Sequence, residues 1–162
     1  MGTGTGILAR IARARGAQFV VGTDIDPDAL SCAGAHTALD SLAGVGPNCA
    51  PGAEVNGAAG VALGSAADAL SDGRRIEIHL SAAAPDYWGA RFDLVVANIL
   101  EAPLCALAGS LSRALAPGGI LLISGFTRPQ VPALRVLYER AGLTLRSRSS
   151  LDEWVLLMFS SP

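Results

Sequence analysis

Phe92-Asp93-Leu94-Val95-Val96-Ala97-Asn98 is a nearly continuous apolar run that ends on an amide. Such a run is typical of a parallel strand covered on both faces. In an open α/β sheet, ligands bind beyond the carboxyl ends of the strands, so Asn98 is placed on a functional rim. On either side, strand-like and helix-like stretches alternate. Downstream, a helix is expected over 103–115, ended by Pro117-Gly118-Gly119. Ile120-Leu121-Leu122-Ile123-Ser124-Gly125 reads as another buried strand, and 129–141 as a helix stopped by Gly142. Strands follow at 143–149 and 154–159, separated by a turn too short for a parallel crossover, so they must pair antiparallel.

Upstream, Arg75-Ile76-Glu77-Ile78-His79-Leu80 alternates apolar and polar residues as a strand does. Residues 43–67 are dominated by Gly, Ala and Val with Pro47 and Pro51, and read as a flexible Gly/Ala-rich insertion. Asp26-Pro27 starts a helix expected to run to about Leu39, with Asp as N-cap and Pro at the first helical position. Gln18 to Asp24 is a short buried strand. Residues 7–15 form a helix with Ile7, Leu8 and Ile11 on one face and Arg10 and Arg13 on another. The fold class is therefore α/β: an open, mostly parallel sheet with a C-terminal antiparallel hairpin, in one domain over 1–162.

Composition removes several classes of function. Hydrophobic residues make up 51% and charged residues 16%, which marks a globular chain. A net charge of -2 argues against a general nucleic-acid or anionic-membrane binder. All 12 basic residues are Arg, which excludes a Schiff-base or P-loop lysine. Cys32, Cys49 and Cys105 are scattered without a C-x-x-C pair, and His36 and His79 are the only histidines, so no metal site is expected. No apolar run approaches the ~20 residues that span a bilayer.

Three features carry chemistry. Gly2, Gly4 and Gly6 alternate in Met1-Gly2-Thr3-Gly4-Thr5-Gly6-Ile7-Leu8, ahead of a helix whose free N–H groups can meet a ligand. A dinucleotide fingerprint would need glycine at position 7, where Ile7 stands, so the nicotinamide reading fits poorly. Asp24 ends the next strand, where an acid in nucleoside-binding α/β folds accepts hydrogen bonds from ribose hydroxyls. Ile25 would flank the adenine. Asn98 could accept a hydrogen bond from an amine and orient its lone pair. For each residue the plainer alternative is a turn or strand-end role.

Together these residues resemble a class I S-adenosylmethionine-dependent methyltransferase. Gly2-Thr3-Gly4-Thr5-Gly6-Ile7-Leu8-Ala9, Val21-Gly22-Thr23-Asp24-Ile25-Asp26-Pro27-Asp28-Ala29, Asp93-Leu94-Val95-Val96-Ala97-Asn98-Ile99-Leu100, Leu115-Ala116-Pro117-Gly118-Gly119, Ser124-Gly125 and Glu153-Trp154-Val155 follow one another as in the PrmA family. That family methylates large-subunit ribosomal protein eleven. The resemblance implies S-adenosylmethionine as cofactor, held by Gly2, Thr3, Gly4, Gly6, Asp24, Ile25 and Asn98. It implies direct attack of a neutral lysine or α-amino group on the sulfonium methyl, with Asn98 as the catalytic residue that orients the amine. The partner implied is a ribosomal protein, with no direct contact to nucleic acid and no membrane. The compartment is cytoplasmic in a bacterium, with an organelle open in a eukaryote.

Two departures from the family pattern stand out. A strand ending in an acid precedes the family's glycine loop, and here Met1 stands where its last residue would be. The family's N-terminal substrate-recognition domain is also absent. The expectation is an N-terminally truncated domain whose first central strand, between 18–24 and 92–98, is missing. An inactive remnant and a methyltransferase for another substrate are the rival readings. Trp154 is expected as a core or hairpin residue, and Arg146 and Arg148 as a solvated strand face.

Overall fold

The computed structural model describes residues 2–42, 75–80 and 92–162, with side chains described over 2–36 and 92–162. The insertion expected at 43–67 lies outside the described residues. The chain divides into two compact units, Gly2–Ala82 and Ala83–Pro162.

In the first unit, α1 (Ile7–Ala14) is followed by β1 (Phe19–Asp24), α2 (Pro27–Leu42) and β2 (Arg75–Leu80). The two strands pair in parallel, from Phe19 opposite Arg75 to Asp24 opposite Leu80. Helix α2 starts where the Asp-Pro signal puts it. The Asp28 N–H donates to Asp26 Oδ1 at 2.9 Å, so Asp26 caps the helix with its own carboxylate. Leu30 and Ala33 of α2 are buried. Helix α1 forms where the sequence puts it. Its buried residue is Ala9, whereas Ile7 and Ile11 are 51% and 48% exposed. Gly6 explains part of this: a β-carbon there would stand 3.1 Å from the Ala33 β-carbon, so the start of α1 closes on α2 through small residues.

The second unit holds β3 (Phe92–Asn98), α3 (Glu101–Arg113), β4 (Leu115–Thr127), a 3-10 turn (Arg128–Gln130), α4 (Val131–Arg140), β5 (Thr144–Leu151) and β6 (Trp154–Ser160). The sheet order is β3-β4-β6-β5. β3 and β4 are parallel, and β6 pairs antiparallel with both β4 and β5, so β6 alone runs against the rest. The expected hairpin is therefore present, turned at Asp152 with φ 52°. Among the described residues no ladder joins β1 to β3.

One face of this sheet forms the core. Val95, Ala97, Leu121, Ile123, Leu157 and Phe159 pack with Leu104, Leu111, Leu134 and Tyr138 of α3 and α4. Both helices of the unit contribute to that one cluster, so β3 is not evenly covered: Val95 and Ala97 are buried, but Leu94 is 48% exposed. Tyr138 is fully buried, 5.3 Å from the Phe159 ring, and its hydroxyl donates to the Leu104 carbonyl at 3.0 Å. Burial, helped by the charge of Cys105, holds its phenol well above the ordinary tyrosine range.

Pro117-Gly118-Gly119 does not end a helix, as the sequence suggested. α3 stops earlier, at Arg113, and the three residues form an irregularity inside β4, between Leu115 opposite Phe92 and Ile120 opposite Leu94. A β-carbon on Gly119 would stand 2.9 Å from the Phe92 carbonyl oxygen. A second irregularity lies between Ile123 and Phe126, where β4 passes two residues for one of β6. It contains Gly125, with φ 94°. β5 has a third, at Arg146, whose Nε donates to Ser160 Oγ at 2.7 Å. No helix among the described residues is long and apolar enough to cross a membrane.

Two predictions test this packing. Gly118→Ala meets nothing within 4 Å and strains only its φ of 74°, whereas a β-carbon on Gly125 would lie 2.5 Å from the Ile99 oxygen. Urea unfolding should show a loss of about 1–2 kcal/mol for Gly118→Ala and at least about 3 kcal/mol for Gly125→Ala. Equal losses would contradict the close approach. Tyr138 supplies the second prediction. Its folded pKa is raised, so the native state keeps a proton that the unfolded chain sheds. Stability is intact below about pH 10 and falls as pH rises beyond it. The chain has no lysine, so few other side chains titrate there. Tyr138→Phe should flatten that alkaline fall and cost about 0.5–1.5 kcal/mol at neutral pH.

Candidate functional site

The glycine loop is built by backbone bonds. The Thr3 N–H donates to the Thr23 carbonyl at 2.9 Å, which ties the loop to the end of β1, and the Gly6 N–H closes on the Thr3 carbonyl at 2.8 Å. Gly2, Gly4 and Gly6 all hold positive φ, at 68°, 51° and 79°. A β-carbon on Gly4 would meet nothing within 4 Å, so the main chain there borders open space. Thr3 is buried.

Asp24 is wired into this loop. Its Oδ2 accepts the Gly4 N–H at 2.8 Å and its Oδ1 accepts the Asp26 N–H at 3.1 Å. The turn role weighed against ribose contact is thus filled by Asp24 itself, while Asp26 caps α2. The two roles do not compete: each carboxylate oxygen has a further lone pair to offer. Ile25, at 72% exposure, stands beside it as an uncovered apolar surface.

His36 belongs to the same constellation, although the sequence offered no signal for it. Its Nδ1 lies 3.0 Å from the Thr5 carbonyl. A carbonyl only accepts, so Nδ1 carries the proton and donates. The bond joins residues 31 apart in sequence, which no local pattern reveals.

Asn98 belongs to the second unit. It ends β3 opposite Ser124, is exposed, and lines a cavity of about 750 Å³. The opposite wall comes from the hairpin, through Ser149, Leu151 and Trp154, with Leu100 on the Asn98 side. Trp154, read from sequence as a core or hairpin residue, is 50% exposed and faces this cavity. None of the described lining residues is ionisable. Such a lining offers an apolar stem its contacts and gives a cation no counter-charge.

The floor of the cavity is the irregularity in β4. The Ile99 N–H donates to the Ser124 carbonyl at 3.2 Å, and Ser124 Oγ donates to the Val155 carbonyl at 3.0 Å. Ser124 therefore links the Asn98 turn to β6. Among the described residues no group of three or more His, Cys, Asp or Glu could hold a metal ion.

Comparison with known proteins agrees with this architecture. The family model described as ribosomal protein L11 methyltransferase (PrmA) matches residues 57–162. The ribosomal protein L11 methyltransferase of Geobacter sulfurreducens is 34% identical over 159 residues, covering 98% of this chain and 42% of the relative. That of Azotobacter vinelandii is 36% identical over 154 residues, covering 95% of this chain and 41% of the relative. The chain thus spans less than half the length of the curated relatives it matches. A crystal structure of ribosomal protein L11 methylase from Lactobacillus delbrueckii subsp. bulgaricus superposes with a TM-score of 0.71 at 25% identity, over 99% of this chain and 67% of that one. A TehB-like SAM-dependent methyltransferase from Corynebacterium glutamicum shares the fold, with a TM-score of 0.60 at 17% identity, over 99% of this chain and 77% of that one. The chain belongs to the ribosomal protein L11 methyltransferase (PrmA) family.

Proposed function

We propose that this chain carries the transfer chemistry of an S-adenosylmethionine-dependent N-methyltransferase acting on a ribosomal-protein amine. The observation that carries the reading is Asn98, on a cavity whose described lining carries no ionisable side chain, in a chain of this family. The residues fit the cofactor. The main chain at Gly4 borders open space, and Asp24 keeps lone pairs free beside it. When bound, S-adenosylmethionine supplies an electrophilic methyl group on a sulfonium sulfur.

The chain's own residues supply position. Gly2, Thr3, Gly4 and Gly6 offer backbone to the nucleoside and methionine portions, Asp24 accepts from the ribose, and Ile25 covers the adenine. Asn98 accepts a hydrogen bond from the incoming amine, which fixes the direction of its lone pair and so raises the rate by orientation. Leu100, Leu151 and Trp154 fit the aliphatic stem of a lysyl side chain, and a described lining without ionisable groups favours the neutral amine. An acceptor other than a ribosomal protein is the second reading, since the cavity by itself selects an aliphatic amine and not its carrier. The cytosol is the compartment that fits a ribosomal-protein acceptor.

Three measurements test this. Titration calorimetry should show saturable S-adenosylmethionine binding that weakens about 10- to 100-fold in Asp24→Ala. Asp24→Asn should lose less, because it keeps an acceptor for Gly4. No binding by the unsubstituted chain would leave a non-catalytic remnant as the better description. Mass spectrometry of a lysyl peptide should show methyl addition whose rate falls about 100-fold in Asn98→Ala; full turnover in that variant would remove Asn98 from the mechanism. The rate should also climb between about pH 7 and pH 10 as the amine loses its proton. A pH-independent rate would require a base that the described lining of the cavity lacks.

A further inference from the structure

The turn Thr127–Gln130 belongs to none of the motifs above, yet it bonds to both walls of the Asn98 cavity. Gln130 Oε1 accepts the Thr127 N–H at 2.7 Å and faces Thr127 Oγ1 at 3.2 Å. That orients the amide so that Nε2 points outward, where it donates to Glu101 Oε2 at 2.5 Å. A helix cap needs only the bonds within 127–130. The bond to Glu101 leaves the element and grips the first residue of α3, three positions beyond Asn98.

The connection to Asn98 is short and stiff. Ile99 hangs by its N–H from Ser124 and lies flat against Gly125, so the Asn98–Leu100 turn is held from below by β4. Gln130 holds it at the far end through Glu101. On the other side, Arg128 Nη2 donates to the Asp152 carbonyl at 2.8 Å, and the Arg128 N–H to the Glu153 carbonyl at 3.3 Å. Those carbonyls are the tip of the hairpin, and Leu151 and Trp154 flank it. One four-residue turn is therefore bonded to the Asn98 wall through Gln130 and to the Trp154 wall through Arg128.

We infer that Thr127–Gln130 is a positioning clamp that sets the separation of the two cavity walls, and that Gln130 aims Asn98 through Glu101. The inference rests on the reading of Asn98 as the residue that orients the amine. Gln130 touches no substrate in this scheme; it acts through Glu101. A charge-assisted bond between partly buried groups is strong enough to hold a loop. Small errors of position at a reacting centre lower rate more than affinity.

The test uses the full chain and two readouts. Amide hydrogen exchange is followed at Ile99, at the Asn98 turn, and at Leu157, in the buried centre of β6. Gln130→Ala and Glu101→Ala should each speed exchange at Ile99 about tenfold and leave Leu157 unchanged, because only a local opening is eased. The double variant should be no faster than either single one, as expected for partners in one bond. Glu101→Gln, which keeps an acceptor, should exchange nearly as the unsubstituted chain does. In methyl transfer to a lysyl peptide, Gln130→Ala should lower kcat about tenfold with KM for S-adenosylmethionine unchanged. Equal acceleration at Leu157, or none at Ile99, overturns the clamp. A tenfold rise in KM with unchanged kcat overturns the aiming of Asn98. If the unsubstituted chain transfers no methyl group, the functional reading and the aiming of Asn98 fall together, while the Ile99-to-Leu157 comparison still decides the clamp.

Discussion

The peptide of Ile99 lies against Gly125 more closely than any β-carbon would permit. Much of the second unit follows from that contact. It requires glycine at 125 with positive φ, and it coincides with the extra residue of β4 opposite β6. That residue kinks β4 just where β3 gives way to α3, which lets the Ile99 N–H reach Ser124 and lets the Ser124 hydroxyl turn to Val155. The result is a turn that carries Asn98 on a rigid floor with the hairpin as a facing wall. What order the turn has comes from this close approach and these hydrogen bonds, the kind of support that preorganised sites require.

The first unit solves the same problem by other means. Its loop has no side-chain cap on α1, and the N-cap residue is Gly6 itself. Order comes from Asp24, whose two oxygens each take a backbone N–H, and from His36, which takes the Thr5 carbonyl. A carboxylate bound by two amides is a strong anchor, since bonds to a charged acceptor are worth about twice those between neutral groups. Close approach at Gly6 and Ala33 then fixes where α1 begins. Small residues set the distances and a few charged or aromatic side chains set the directions.

Local chemistry was legible in the sequence and distant pairing was not. The Asp-Pro start of α2 announces its own cap, and the short turn before Trp154 dictates an antiparallel pair, because both depend on neighbours along the chain. Most element limits follow the hydrophobic pattern, although β4 runs Leu115–Thr127 where the pattern put a strand over 120–125. The failures occur where tertiary contact decides. Pro117-Gly118-Gly119 resembles a helix stop but serves as a kink, since Gly119 must pass close to Phe92. Trp154 lies in the hairpin, one of the two places expected, and its ladder partners, Thr127 and Leu151, bring it to the cavity and not into the core. Gln130 and Arg128 carried no signal at all, because their partners lie 29 and 24 residues away and meet them only after folding.

The two arginines of β5 acquire a meaning from the sheet order. β5 is the last strand beside β6, and the outermost strand of any sheet is a template on which another chain can grow. Here that template is spoiled twice. Its line is broken at Arg146, so an arriving strand could not keep register along it. Arg146 and Arg148 are both exposed, and stripping water from two guanidinium groups would oppose the approach. The solvated charges that look idle in the sequence thus make β5 a poor template for edge-to-edge pairing.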